Sequence, residues 1–436
     1  MRVFVLDKNL KSLDPCHPAR ARELLQKGKA KVYRRYPLTI VLQHRTIEES
    51  VTHPHRIKID PGSKITGIAV VQEETGRVTN ALLISHRGQQ IKDALLARRA
   101  LRRGRRHRKT RYRKPRFSNR TRQQRWLPPS LESRIANIET WVRRIRKLCP
   151  VAAISQELVK FDLQQLQNPE NSGVEYQRGT LFGFEVKEYL LQKWNRKCAY
   201  CGVENVPFEI EHILARSKGG SNRVSNLCLS CHSCNQAKGN KPVEEFLQKK
   251  PEVLFSVLVQ AKAPLSDATA VNATRWELYR RLQSTGLSVE VGPGGRTKFN
   301  RQTRGIEKTH WTDAACVGAS TPERLLLNGI KSLAVKAKGH GKRQRCGTDR
   351  YGFPIRHAPA QKFFMGFQTG DLVKAHVPSG KYAGTYTGRI AIRFKPSFKL
   401  TTGGFAVSAQ PNGKSFDVHP KYLKTIHRAD GYEYTS

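Results

Sequence analysis

The stretch "EIEHILARSKGGSNRVSNLCLSCHSCNQAKG", Glu209 to Gly239, packs an acidic residue beside a histidine, three asparagines and a Cys-x-x-Cys pair into 31 residues. Just upstream, Cys198-Ala-Tyr-Cys201 supplies a partner for the pair Cys231-His-Ser-Cys234. Four thiolates at this spacing suit tetrahedral zinc, because each pair forms a knuckle and the two knuckles converge. The 29 residues between the pairs exceed the usual zinc-ribbon gap, so a further element lies between the knuckles. Cys228 has no matched partner and reads as a core residue.

The intervening residues predict a hairpin and a helix. "FEIEHILA" and "RVSNLCLS" form the two arms around the turn Ser217-Lys218-Gly219-Gly220, and "HSCNQAKGNK" opens a helix carrying Asn235. Metal-dependent cleavage of a phosphodiester needs a hard oxygen ligand, a base for water and an open metal face. Glu211 and Asn235 offer oxygens, and His212 can take a proton near neutral pH. A Glu-His pair by itself is more often a surface or core histidine. Its position inside a zinc knuckle, with Asn226 and Asn235 downstream, favours a site. The pattern resembles the ββα-metal domain of HNH nucleases. That resemblance implies His212 as general base, Glu211 and Asn235 as ligands of one Mg²⁺, and Asn226 as a brace of the hairpin. The family more often has Asp before its His; Glu211 keeps the carboxylate and reaches one methylene further.

Outside this stretch, charge narrows the class of partner. Lys+Arg 79 against Asp+Glu 34 leaves a formal +45 on 436 residues. Such charge opposes compaction unless a polyanion neutralises it, so the expected partner is nucleic acid. A ribosomal or chromatin-type binder would share that charge. No run of about 18 apolar residues occurs, so no membrane span is expected. "MRVFVLDKNLKSLDP" is broken by Asp7 and Lys8 and does not resemble a signal peptide. Nine cysteines, four of them in two Cys-x-x-Cys pairs, fit a reduced, cytoplasmic, metal-binding protein better than a disulfide framework.

The length allows about two to four cored domains, and the pattern predicts an α/β multidomain chain. Residues 1–52 read as a small α/β unit, with strand "RVFVLDK", helix "PARARELLQKGKA" and a second strand "VYRRYPLTIVLQ". Residues 53–93 carry three strands, the first two joined by Pro61-Gly62-Ser63. Residues 94–126 are the most biased segment: fifteen Lys/Arg lie between Arg98 and Arg125 with no acid among them. Its first part is helix-forming, and from Lys114-Pro115 it reads as extended. Arginine-rich helices that order on RNA match it better than a solvated tail does. Residues 127–174 hold a core helix (Leu131, Ile135, Ile138, Trp141, Val142, Ile145 and Leu148 at helical spacing) and the strand "AAISQE" ending at Glu157. An inserted domain occupies 175–262. Residues 263–335 carry two helices and a strand, and 336–436 form an all-β, barrel-like module.

The segments flanking the insertion hold a second set of polar groups. Asp60 ends the strand "RIKID", Glu157 ends a later strand, and His310 and Asp313 share one face of a closing helix. Carboxylates so distributed resemble the RuvC branch of the ribonuclease-H-like fold. The resemblance implies a split RuvC core (53–93, 127–174, 263–335) with Asp60, Glu157 and Asp313 holding Mg²⁺ and His310 assisting at the water or second metal. A RuvC core split by an arginine-rich bridge helix and by an HNH domain resembles the IscB family, transposon-encoded RNA-guided nucleases related to the type II CRISPR effector. The N-terminal domain of that family is named for Pro-Leu-Met-Pro; Pro37-Leu38-Thr39-Ile40 keeps only the first half.

The resemblance implies an RNA-guided, metal-dependent endonuclease for double-stranded DNA. The HNH centre would cut the guide-paired strand and the RuvC centre the displaced one. Mg²⁺ or Mn²⁺ would serve both centres, with structural zinc in the HNH domain. Arg98, Arg99, Arg102, Arg103, Arg105, Arg106, Arg108, Lys109, Arg111 and Arg113 of the bridge helix would grip the phosphates of a long structured guide RNA. Residues 336–436 would contact RNA and a short motif beside the target. One protein per RNA, in a prokaryotic cytoplasm and on the nucleoid when acting, is the matching expectation. Two alternatives share the composition: a protein-guided homing or junction-resolving nuclease, and a non-cleaving binder of RNA or DNA.

Overall fold

The computed structural model describes residues 1–107, 126–158, 182–263, 268–327, 329–339, 346–351, 353–357, 361–393, 397–402 and 415–435. The arginine-rich segment beyond His107, with Arg108, Lys109, Arg111 and Arg113, lies outside these residues, as does the expected start of the insertion at 175.

The chain opens with β1 (Val3–Leu6), β2 (Ser12–Cys16), α1 (Pro18–Gln26), β3 (Ala30–Arg34) and β4 (Thr39–Leu42), a four-stranded sheet in the order β2-β1-β4-β3. "VYRRYPLTIVLQ", expected as one strand, is a hairpin instead. Pro37 cannot donate to a ladder, and the chain reverses at Tyr36-Pro37. Ser12–Cys16 is a strand that its polar composition did not signal.

The large sheet is built from β5 (His55–Asp60), β6 (Ile65–Gln72), β7 (Val78–Ser85), β8 (Val151–Glu157), β11 (Ser288–Gly292) and β12 (Leu333–Ala337). Its order is β11-β8-β5-β6-β7-β12, continued by the C-terminal strand Tyr432–Thr435. β5, β6 and β7 are antiparallel neighbours; β8 runs parallel to β5, and β11 parallel to β8. From Thr66 to Gln72 β6 is buried on both faces, as a strand covered on each side must be. One cover is α3 (Pro129–Leu148), which follows α2 (Gly88–His107). α3 starts at a proline in its first turn, and Pro150 follows just beyond its end. Its Ile135, Ile138, Trp141, Val142, Ile145 and Leu148 are all buried against the sheet.

The insertion has its own core. α4 (Phe182–Lys193) precedes the hairpin β9 (Phe208–His212) and β10 (Leu227–Cys231), followed by α5 (His232–Lys238), α6 (Val243–Phe246) and α7 (Pro251–Lys262). Trp194, Tyr200, Phe208, Ile213, Leu227, Leu229 and Val257 pack together there, apart from the sheet's core. The chain returns through α8 (Ala268–Gln283), α9 (Gly294–Thr303) and α10 (His310–Ala315). α9 had no sequence signal, its apolar side being only Phe299.

Beyond β12 lies a five-stranded antiparallel sheet in the order Ser415–Val418, Phe398–Thr402, Gly384–Ala391, Leu372–Val377, Leu423–His427. Its two outer strands do not pair with each other among the described residues. The expected unit 336–436 also gives up its last strand, because Tyr432–Thr435 pairs with β12 and covers that sheet edge. No helix among the described residues is long and apolar enough to cross a membrane.

Candidate active sites

In the insertion, pairing of β9 with β10 sets Leu227 opposite His212, Cys228 opposite Glu211 and Ser230 opposite Glu209. Side chains two apart on a strand share a face, so Glu209 and Glu211 point the same way. α5 follows β10 directly, and His232, Asn235 and Lys238, three apart, line the helix face that meets them. Lys238 Nζ donates to Glu211 Oε1 at 2.7 Å and to the His212 carbonyl at 2.8 Å, and is fully buried. Asn235 Nδ2 donates to Glu209 Oε2, and His232 Nδ1 lies 2.9 Å from Glu209 Oε1. The Asn235 amide and then His232 hold the Glu209 carboxyl below its ordinary range.

His212 Nε2 lies 2.9 Å from Asn222 Oδ1. An amide oxygen only accepts, so Nε2 carries the proton and Nδ1 of the neutral ring keeps its lone pair. Asn226 ties the loop between the strands: its Oδ1 accepts from Leu214 N at 2.9 Å, and its Nδ2 donates to Leu214 O at 3.0 Å and Ser221 O at 2.9 Å. Asn222, Glu209, His232 and Lys238 were not singled out from the sequence. The i, i+3, i+6 spacing on α5 against the i, i+2 spacing on β9 is the signal that could have found Glu209, His232 and Lys238; Asn222 lies in the loop between the strands.

The sulfurs of Cys198, Cys201, Cys231 and Cys234 all lie within 4.8 Å of one another, and all four cysteines are free. Cys201 and Cys231 Sγ are 3.8 Å apart. Tetrahedral zinc with bonds of about 2.3 Å sets its sulfurs about 3.8 Å apart, so the cage fits that ion. Burial pushes the Cys198 thiol up, but the backbone N–H groups of Cys231, Cys201 and Tyr200 outweigh it and bring it to about 7. Cys228 lies outside the cage, fully buried, with Sγ 3.3 Å from Tyr200 Oη.

At the large sheet, parallel pairing sets Ile59 beside Gln156, so Asp60 and Glu157 leave neighbouring strands at the same edge. α10 crosses this edge. Its N-cap Thr309 and Thr312 exchange backbone-to-hydroxyl hydrogen bonds in a capping box, which fixes His310 at the first helical position. Gly67, opposite Asp60 on β6, makes the crossing possible: a Cβ there would stand 1.8 Å from the His310 carbonyl oxygen. His310 Nδ1 is 3.9 Å from Asp60 Oδ2, and that carboxylate raises the imidazole's pKa. Burial, followed by the charge of Asp60, raises Asp313. Asp60, Glu157, His310 and Asp313 thus meet at one edge, though less tightly than the cysteines. Among the described residues, the cysteine cage is the one such group of three or more whose ligand atoms all lie within 4.8 Å.

Along α2, Arg98, Arg99, Arg102, Arg103 and Arg106 are exposed. Nothing is described of the Arg105 side chain.

Comparison with known proteins bears on the insertion that carries the first of these sites. Residues 198–251 match the HNH endonuclease family model, and residues 3–179 match that of the RRXRR proteins; Arg102-Arg103-Gly104-Arg105-Arg106 has that form. The chain is 44% identical over 55 residues to the CRISPR-associated endonuclease Cas9 of Corynebacterium diphtheriae. That match spans 12% of this chain and 5% of the relative. Among solved structures, Streptococcus thermophilus Cas9 in complex with the GGAA PAM aligns with a TM-score of 0.24 and 15% identity, over 60% of this chain and 32% of that one. The type II-C Cas9 enzyme from Actinomyces naeslundii aligns with a TM-score of 0.18 and 17% identity, over 45% and 31%. The chain thus covers about a third of these solved chains. By fold and match it is an α/β multidomain protein with an HNH endonuclease domain.

Proposed function

We propose that this protein is an RNA-guided endonuclease of the IscB type, cutting both strands of a DNA target at two centres. The observation that carries this reading is the assembly of a second acidic edge from segments on both sides of the HNH insertion. Asp60 and Glu157 precede the insertion in the chain; His310 and Asp313 follow it. Such an edge, on a mixed sheet in which β5, β6 and β7 are antiparallel neighbours and β8 and β11 are added parallel to β5, fits a RuvC core interrupted at 175–262. The exposed arginines of α2 supply a phosphate grip between the first two RuvC segments.

At the HNH centre, His212 Nδ1 takes the proton of the attacking water, and Asn222 keeps the ring in the tautomer that leaves Nδ1 free. Asn235 gives its N–H to Glu209, which leaves its amide oxygen free to act as a ligand. With Lys238 on Glu211 Oε1, Glu211 Oε2 and the Asn235 amide oxygen are the groups that would hold Mg²⁺ or Mn²⁺. At the second centre the carboxylates of Asp60, Glu157 and Asp313 form an all-oxygen donor set of the same kind, with His310 placed to move a proton. A bound divalent ion supplies charge stabilisation to the phosphate in flight. The four cysteines hold zinc as a clamp on the insertion. A guide RNA, held along α2 and by residues of 336–436, pairs with the target strand.

The test is to purify the protein with its RNA and follow each labelled strand of a target duplex. His212→Ala should abolish cutting of the guide-paired strand alone, and Asp60→Ala cutting of the displaced strand alone. RNase treatment should abolish both cuts. Sequence-specific cleavage that survives RNase would refute the RNA-guided reading.

A further inference from the structure

The acidic edge at Asp60, Glu157 and Asp313 is ringed by cations. Arg275 Nη2 lies 3.4 Å from Glu157 Oε1. Arg301 Nε lies 2.7 Å from Asp313 Oδ1, an ion pair without hydrogen-bond alignment. His310 faces Asp60, and the charges of Lys308 and Arg196 also act on Asp313. Neither arginine is a loose surface partner. Arg275 is 5% exposed; its Nε donates to the Pro61 carbonyl at 3.3 Å, and its own carbonyl accepts from Gln156 Nε2 at 2.8 Å. Its Nη1 is buried without a hydrogen-bond partner among the described residues. Arg301 Nη1 donates to the Ile306 carbonyl at 3.3 Å. A guanidinium held this close neutralises the charge, and fills the space, that a divalent ion needs. Its planar fork also matches a phosphate at least as well as a carboxylate.

We propose that Arg275 and Arg301 are positioning residues that occupy Glu157 and Asp313 in the metal-free protein, so that the second centre takes up a divalent ion only when a nucleic-acid phosphate draws the guanidinium groups away. Metal and nucleic acid then bind this centre cooperatively, each tightening the other by the same factor. The proposal rests on the reading of this edge as a metal-dependent nuclease centre.

Mn²⁺ titration of the full-length protein, followed by electron paramagnetic resonance, tests it without recourse to cleavage. The binding component lost in Asp60→Ala belongs to this centre. In Arg275→Met and in Arg301→Met that component should bind Mn²⁺ about tenfold more tightly than in the unaltered protein, once a fixed positive charge is removed. A nuclease-resistant phosphorothioate oligonucleotide should tighten Mn²⁺ binding in the unaltered protein and much less in these variants. Arg275→Lys keeps the charge and should restore the weak, oligonucleotide-dependent binding, which separates competition from damage to the buried site. Unchanged or weakened Mn²⁺ binding in both methionine variants overturns the proposal and leaves the nuclease centre standing. Absence of any component sensitive to Asp60→Ala removes both.

Discussion

Lys238 sits at the end of a seven-residue helix, where a lysine ordinarily faces solvent and complements the helix dipole. Here it is fully buried between Glu211 and the His212 carbonyl. It therefore sets the position of both residues expected to do chemistry. Removing one partner of a buried pair leaves the other charge uncompensated, at a cost of about 3–5 kcal/mol. Lys238→Met should lower the unfolding free energy of the insertion by that order, and its denaturation midpoint with it, whereas Lys218→Met, on an exposed turn, should leave the midpoint unchanged. Equal midpoints for the two variants would show that the pair contributes nothing. The sequence pointed to Glu211, His212, Asn226 and Asn235 because residue type and spacing carried them. Lys238 and Glu209 were hidden, because their relevance depends on which faces of β9 and α5 meet, and Asn222 because the loop between the strands carries it to His212.

At the scale of elements, the crossing of α10 over β6 depends on one missing side chain. The contact at Gly67 is to backbone, which cannot swing aside as a flexible side chain would. Gly67→Ala should push α10 outward and displace His310 and Asp313 from Asp60. On the proposed function, the expected result is a loss of displaced-strand cutting of about 10²-fold, with guide-paired-strand cutting within about twofold of the unaltered protein. Strand-specific nicking assays measure both. β5 to β8 and α3 were legible from the chain, since their alternating or helical apolar patterns are long enough to dominate. β2 and the break between β3 and β4 were not: strands of four or five residues with polar or proline positions carry too little periodicity.

Across the whole molecule, one carboxylate joins segments far apart in sequence. Asp430, near the C-terminus, pairs with Arg144 of α3 at 2.9 Å and Arg34 of β3 at 3.2 Å, and accepts from the Tyr434 hydroxyl. Tyr434 stacks on Tyr36, with ring centroids 4.8 Å apart. Burial pushes Asp430 up, but His427, with Nε2 3.7 Å from Oδ1, the Tyr434 hydroxyl and the charge of Arg144 outweigh it and bring it to about 2. A lowered carboxyl pKa contributes stability that is present above the ordinary value and lost as pH falls toward the folded one. Its share, about 2 kcal/mol, should be present at neutral pH and fade between about pH 4 and 2. Asp430→Asn should therefore be less stable than the unaltered protein in urea at pH 7. The gap should shrink as the pH is lowered toward 2; a gap independent of pH would place the cause in packing instead. The two zinc-type cysteine pairs, the Glu-His pair and the arginine run were readable from the chain alone, because metal-ligand spacing and charge density are properties of local sequence. The meeting of Asp60, Glu157, His310 and Asp313 was an expectation carried by family resemblance and by no local pattern; their arginine partners and the return of the last strand to the large sheet were decided only by the fold. Each joins groups tens to hundreds of residues apart, and no local pattern records which distant backbone will pass close enough to pair.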